Sequence, residues 1–227
     1  MERWDTASNQ KHALANTAQH FKKVQEPKET KKPKYPLVRL EEICLINPNV
    51  DFSELITKDK EVSFVPMQAV SSNGTDFYPT NRKAVEYKGF TKFKDNDLLW
   101  AKITPCMENK KSLVVKGLKN AYGFGSTEFF VVRSKDKFET NIDFILQFLR
   151  LDSTVLNAKL RFKGSAGQQR VPKDFLQNLQ IPLPPLKEQE KIVEFIEAKK
   201  AIIEQNNAKI KELKNLIDTK LQHLIFA

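Results

Sequence analysis

The sequence predicts an α+β protein: one globular, β-rich domain followed by a long C-terminal coiled-coil helix. Three observations predict it. Short β-branched and aromatic runs separated by turn-forming residues fill the middle of the chain. Pro182, Pro184 and Pro185 close that block, and neither proline nor glycine follows them. At 227 residues and 40% apolar content, the chain holds one good-sized core and an extension rather than two full domains.

Residues 1–36 read as a basic polar extension with a Lys/Pro-rich end, in which Ala13, Ala15, Thr17, Ala18 and Phe21 have the spacing of a short helix. The globular block runs over residues 37–185. Within it, 62–65 is a strand, 70–81 is rich in turn formers including Asn73-Gly74, and 98–103 and 113–115 are strand-like. The strongest strand pattern is TEFFVVR at 127–133. Ile142, Ile145, Leu146 and Leu149 recur at helical spacing behind Asn141, an N-cap residue type. A second helical stretch at 153–160 leads into the KGSAG run at 163–167, whose glycines permit a sharp turn. The IPLPPL run at 181–186 is stiff and extended. It is a rigid joint between domain and helix, a plain stop ahead of the helix, or both.

Residues 186–227 carry Ile196, Ile203, Ile210, Ile217 and Leu224 at an unbroken spacing of seven. Ile192 and Leu213 fill two of the intervening d positions, and Lys199, Asn206 and Lys220 the others. A helix of this length spans about 60 Å, more than one small domain can cover. Its seam (Ile196, Ile203, Ile210, Leu213, Ile217, Leu224) is expected to dimerise two copies or to pair with a second chain. The alternative is a helix folded back on its own domain.

The net charge is +10, which points to a polyanionic partner. The extension contributes +4, the globular block +5 and the helix +1. Residues 157–173 hold Lys159, Arg161, Lys163, Arg170 and Lys173 with no acid. A second cluster is Lys102, Lys110, Lys111, Lys116 and Lys119, opposed by Glu108. A phosphate backbone rewards several cations on one surface, whereas lysines on a solvated loop are the plainer reading.

Catalytic chemistry is not indicated, and no cofactor or metal is expected. Cys44 and Cys106 fit no metal spacing and read as reduced thiols suited to the cytoplasm. His12, His20 and His223 form no cluster. No run reaches the roughly 18–20 apolar residues of a membrane span. Asn47-Pro48-Asn49 is only superficially similar to the Asn-Pro-Pro-aromatic motif of amino-methyltransferases, and no glycine-rich cofactor loop accompanies it. Glu108-Asn109-Lys110 is similar to the end of a nuclease motif, but the metal-binding Asp has no candidate on a preceding strand.

Four strings carry a resemblance: DLLWAKITPCMENK at 97–110, FGSTEFFVVR at 124–133, KGSAGQQRV at 163–171 and IPLPPLKEQ at 181–189. In this order they closely resemble the specificity subunits of type I restriction–modification systems. The resemblance implies a DNA target recognition domain followed by a spacer helix, double-stranded DNA as ligand and a methyltransferase subunit as the catalytic partner. In that family a subunit usually has two recognition domains on two antiparallel helices. This chain has one of each, so it looks like a half subunit or the recognition part of a fused system. The shared strings read as scaffold, which leaves specificity to residues 67–94 and the loop after Lys116. Ser71, Ser72, Asn73, Arg82 and Lys83 are the candidate base or phosphate contacts. Lys102, Lys110, Lys111, Arg161, Lys163, Gln168, Gln169 and Arg170 are the candidate positioning contacts. Two other readings compete: an enzyme with its own nuclease activity, and a coiled-coil regulatory protein of the same complex that does not read bases.

Overall fold

A computed structural model describes residues 32–72, 77–135, 140–165 and 167–226. The short helix expected within residues 1–36 and the Asn73-Gly74 turn lie outside them.

One strand pair explains why two stretches of sequence are apolar at every position. β6 (Leu98–Ala101) and β9 (Phe129–Ser134) lie antiparallel in the middle of a four-stranded sheet ordered β2-β9-β6-β7, with β2 at Cys44–Ile46 and β7 at Ser112–Val114. Successive side chains leave opposite faces of a strand. Leu98, Trp100, Phe130 and Val132 therefore enter one core, while Leu99, Ala101, Phe129 and Val131 enter another. With both faces covered, no polar alternation survives in the sequence.

The first core is closed by α1 (Leu40–Ile43), α3 (Ile142–Leu149) and α5 (Lys173–Asn178), which supply Leu40, Ile145, Leu149 and Leu176. The second core lies between this sheet and a second one, ordered β4-β3-β8-β5. Its strands are β3 (Glu61–Val65), β4 (Thr80–Lys83), β5 (Thr91–Lys94) and β8 (Tyr122–Gly125). β3 and β8 are parallel, and their backbones approach closely at Gly125. A Cβ there would sit 2.1 Å from the Val65 carbonyl oxygen. Phe64 and Phe124, on the other face of this sheet, pack with Phe52 near α2 (Ser53–Thr57) in a third cluster.

The strand expected at 127–133 begins instead at Phe129. Ser126 accepts a hydrogen bond from the Glu128 N–H through its hydroxyl, which turns the chain before the ladder starts (3.2 Å). The strand expected at 98–103 leaves the sheet after Ala101, because residues 102–104 pair with 169–171. β4 and β5 were not foreseen: TNRK and TKFK are polar, and β4 is a sheet edge with exposed or half-buried side chains.

The helix at 141–151 is α3, and Asn141 caps it as its residue type predicts. Its Oδ1 accepts from the Asp143 and Phe144 N–H groups at 2.9 and 3.2 Å. α4 (Asp152–Lys159) follows. The prolines lead into β10 (Gln180–Pro182), which pairs with β1 (Leu37–Arg39) in a separate two-stranded ribbon. This position is an edge, where proline's missing N–H is tolerated.

α6 (Leu186–Phe226) is a single helix of 41 residues. Its base is clamped by Gln189, its only buried residue. The Gln189 Oε1 accepts from the Asn141 N–H, and its amide donates to the Pro184 carbonyl, both at 2.9 Å. Higher up, Gln147 donates to Glu197 (3.1 Å). From Ala201 to Phe226 every residue is exposed, including Ile203 (57%), Ile210 (50%) and Ile217 (58%). The fold-back alternative is thereby overturned. The helix packed beside α6 is α3, only eight residues or about 12 Å long.

Candidate nucleic-acid interface

The basic segment forms a hairpin. Lys163 and Arg170 exchange backbone hydrogen bonds at 3.0 and 2.9 Å. Gly164 (φ +115°) and Gly167 (φ +80°) make the turn between them in conformations other residues avoid. The returning limb joins the end of the β6 string: the Thr104 N–H donates to the Gln169 carbonyl and the Val171 N–H to the Lys102 carbonyl (3.0 and 2.9 Å). Lys102 of one basic cluster and Arg170 of the other, far apart in sequence, thus share one site. Arg161, Lys163 and Gln168 are exposed there, and Gln169 is half-buried.

Acidic side chains answer part of this charge. The Arg170 guanidinium grips both oxygens of Glu128 at 2.7–2.8 Å. That hydrogen bond, ahead of all other influences, holds the Glu128 carboxyl below its usual range and raises Arg170. Lys102 lies 5.3 Å over the Phe130 ring. Burial lowers its pKa, Glu128 opposes the shift and Arg170 adds to it. Lys110 pairs with Asp152, and Lys111 donates to the Met67 carbonyl (3.1 Å). Lys116 pairs with Asp143 (2.9 Å). Among the described residues, Arg161 and Lys163 are the expected positioning cations whose charged groups remain both exposed and unpaired.

The expected base-reading residues sit elsewhere, on and beside the second sheet. Arg82 of β4 lies 3.9 Å over the Phe64 ring. Its neighbour Lys83 pairs with Asp59 (2.6 Å), which raises its pKa. Ser71 is half-buried, Ser72 is exposed, and Asn73 lies outside the described residues. The Ser72 carbonyl accepts from Arg150 (2.9 Å) at the end of α3, a residue that sequence reasoning missed. It also missed the Glu128 partner of Arg170 and the exposed Tyr78 (73%), whose N–H donates to the Ala69 carbonyl (3.0 Å). Arg150 and Tyr78 have no periodic or motif signal, and Glu128, although inside the string at 124–133, has nothing in the sequence that pairs it with Arg170. Tyr78 lies within the turn-rich stretch at 70–81 and was visible only as an aromatic in a largely polar run.

The four strings are scaffold for one another. Arg133, in the second string, forks onto buried Asp97, the first residue of the first string (2.6 and 2.7 Å). The third string pairs with Lys102–Thr104, and the fourth pairs with β1 and supplies Gln189. The Asn47 side chain accepts from the Val131 N–H (3.0 Å), a structural role unrelated to the methyltransferase motif. Glu108 accepts from the Thr104 hydroxyl (2.9 Å). Among the described residues no three His, Cys, Asp or Glu side chains group as metal ligands. No described helix is long and apolar enough to cross a membrane.

The architecture defines a class of protein: a two-sheet domain with a basic hairpin, carried on a long helix with an uncovered seam. The family model for the type I restriction modification DNA specificity domain matches residues 32–215, and the chain belongs to that family. It is 39% identical over 158 residues to the type I restriction enzyme EcoEI specificity subunit of Escherichia coli, covering 69% of this chain and 26% of that protein. It is 38% identical over 156 residues to the EcoAI specificity subunit of Escherichia coli, covering 68% and 26%. The chain thus spans about a quarter of the length of these relatives. Its fold matches the crystal structure of the HsdS subunit from Thermoanaerobacter tengcongensis with a TM-score of 0.64 at 22% identity, over 85% of this chain and 48% of that one. A chain from a structure of a type I R-M system matches with a TM-score of 0.67 at 24% identity, over 86% and 49%.

Proposed function

We propose that this chain is a DNA-sequence reader without chemistry of its own, a specificity subunit that directs a partner adenine methyltransferase to a split target. The observation that carries the reading is the basic hairpin: Arg161 and Lys163 are held exposed and unpaired on a domain of the DNA specificity family. Phosphate contacts there set register, and the segment from Ser71 to Lys83 reads base edges. The partners are double-stranded DNA, a methyltransferase subunit and a second specificity helix, in the cytoplasm. The favoured second helix belongs to another copy of this chain. Antiparallel pairing relates the two domains by a two-fold axis, so the target is two inverted half-sites around an unread spacer. A helix of about 60 Å limits their separation to about 17 base pairs at 3.4 Å per step. A coiled-coil regulator that reads no bases would not need this domain.

Filter binding against random and site-containing duplexes tests the proposal. Salt-dependent binding with a preferred sequence is expected, and plasmid incubated with magnesium stays uncut. Absence of duplex binding sinks the reader, and cleavage sinks the claim of no chemistry.

A further inference from the structure

The crease where α6 leaves the domain is lined but unfilled. It is a groove of about 390 Å³ walled by Phe144, Phe148 and Leu151 on one side and by Ile192 and Ile196 on the other. Arg150 also lines it. One of its nitrogens, Nη2, holds the Ser72 carbonyl, while Nη1 is buried without a hydrogen-bond partner. Such a donor is costly unless something brings it an acceptor. The other cations of the crease, Lys110 and Lys200, are already paired with Asp152 and Glu197.

The crease continues the helix seam, since Ile192 and Ile196 are its first layers. At the far end of α6, Leu221 (49%), Leu224 (68%) and Ile225 (66%) are exposed. Asp218 shares their face, because residues three and seven positions apart lie above one another on a helix. In an antiparallel pair each a residue meets a d residue of the other helix. Setting Ile192 against Leu224 and Ile203 against Leu213 obeys this rule at every layer: Ile196 meets Lys220, Ile210 meets Asn206, and Ile217 meets Lys199. The same setting lays the last turns of one helix on Ile192 and Ile196 of the other. Asp218, Leu221 and Ile225 then lie on the flank of Val193 and Glu197, the flank that faces α3.

We propose that residues 218–225 of a second copy of this chain dock in this crease, with Leu221 and Leu224 against its apolar walls and Asp218 closing on Arg150. The inference rests on the helix pairing proposed above and adds the domain to that interface. It also gives the dimer contact a link to the reading segment, because the same guanidinium holds Ser72.

Sedimentation equilibrium of the full chain tests it by charge reversal. Arg150→Glu and Asp218→Arg should each weaken self-association at least about tenfold, or about 1.4 kcal/mol. Mixing the two variants should restore wild-type affinity, because the heterodimer carries one native and one reversed pair. Asp218 is on an exposed turn, so its effect cannot come from a misfolded domain. Single variants that associate like wild type, or a mixture that stays weak, would overturn the docking while leaving seam pairing intact. A wild-type monomer would overturn both.

Discussion

Of the cations expected to contact phosphate, Arg161 and Lys163 differ from Arg170 in a way that a salt titration resolves. The first two are exposed and unpaired, whereas Arg170 is bound bidentately to a Glu128 that is only 22% exposed. Each phosphate contact contributes a slope of about 0.9 to log K against log salt on B-form DNA. The double variant Arg161→Ala, Lys163→Ala should therefore flatten the slope by up to about 1.8 while leaving the melting temperature unchanged. Arg170→Ala should do the reverse. It strands a mostly buried carboxylate, and because Arg170 is itself 41% exposed the loss is discounted to about 1 kcal/mol. For a domain of this size that is about 2–4 °C in Tm. The pair also fixes the pH dependence. Glu128 has a lowered folded pKa, so its stabilisation is present above the ordinary Glu value of about 4.3 and is lost as pH falls through the depressed value. In Arg170→Ala this acid-side loss should vanish from the difference curve. An unchanged slope in a folded double variant would refute the hairpin as a phosphate clamp. A full 0.9 loss in Arg170→Ala without destabilisation would refute its structural assignment.

Three further outcomes follow from the same geometry. Ile203→Asp with Ile210→Asp places charge in a seam that is exposed in the single chain, so ultracentrifugation should show monomers whose domain melts as before; a dimer that persists would refute the seam. Gly125→Ala drives a Cβ into the Val65 carbonyl and should cost about 1–3 kcal/mol by denaturant titration, whereas an unchanged midpoint would show that β3 and β8 can separate. Burial pushes the Cys44 thiol up to about 12, so a thiol reagent at about pH 8 should label Cys106 readily and Cys44 only on unfolding; rapid double labelling would contradict this core.

The legible parts of the fold were those with a one-dimensional signal. The long helix showed as a repeat of seven, the Asn141 cap as a residue type before a periodic run, and the central strands as runs apolar at every position. Of the second sheet, β3 was legible as the β-branched and aromatic run at 62–65, whereas β4 escaped as a polar edge and β5 because it alternates around a single buried residue, Phe93. At the candidate interface, sequence charge found the cations but not their partners. Glu128 is 42 residues from Arg170, and Asp152 is 42 from Lys110. Such pairs join turns, loops and a helix start that meet only when the elements pack, which no local pattern encodes. Arg150 lacked a signal for the same reason, since its significance lies in the crease it lines.

The most direct measurement is genome-wide mapping of methylation in cells that carry this chain with a methyltransferase subunit, compared with either alone. The account predicts adenine methylation only when both are present, at two inverted half-sites around an unread spacer. Methylation by this chain alone, or sites that do not depend on it, would contradict the central claim, and two unrelated half-sites would replace the second copy with a different specificity chain.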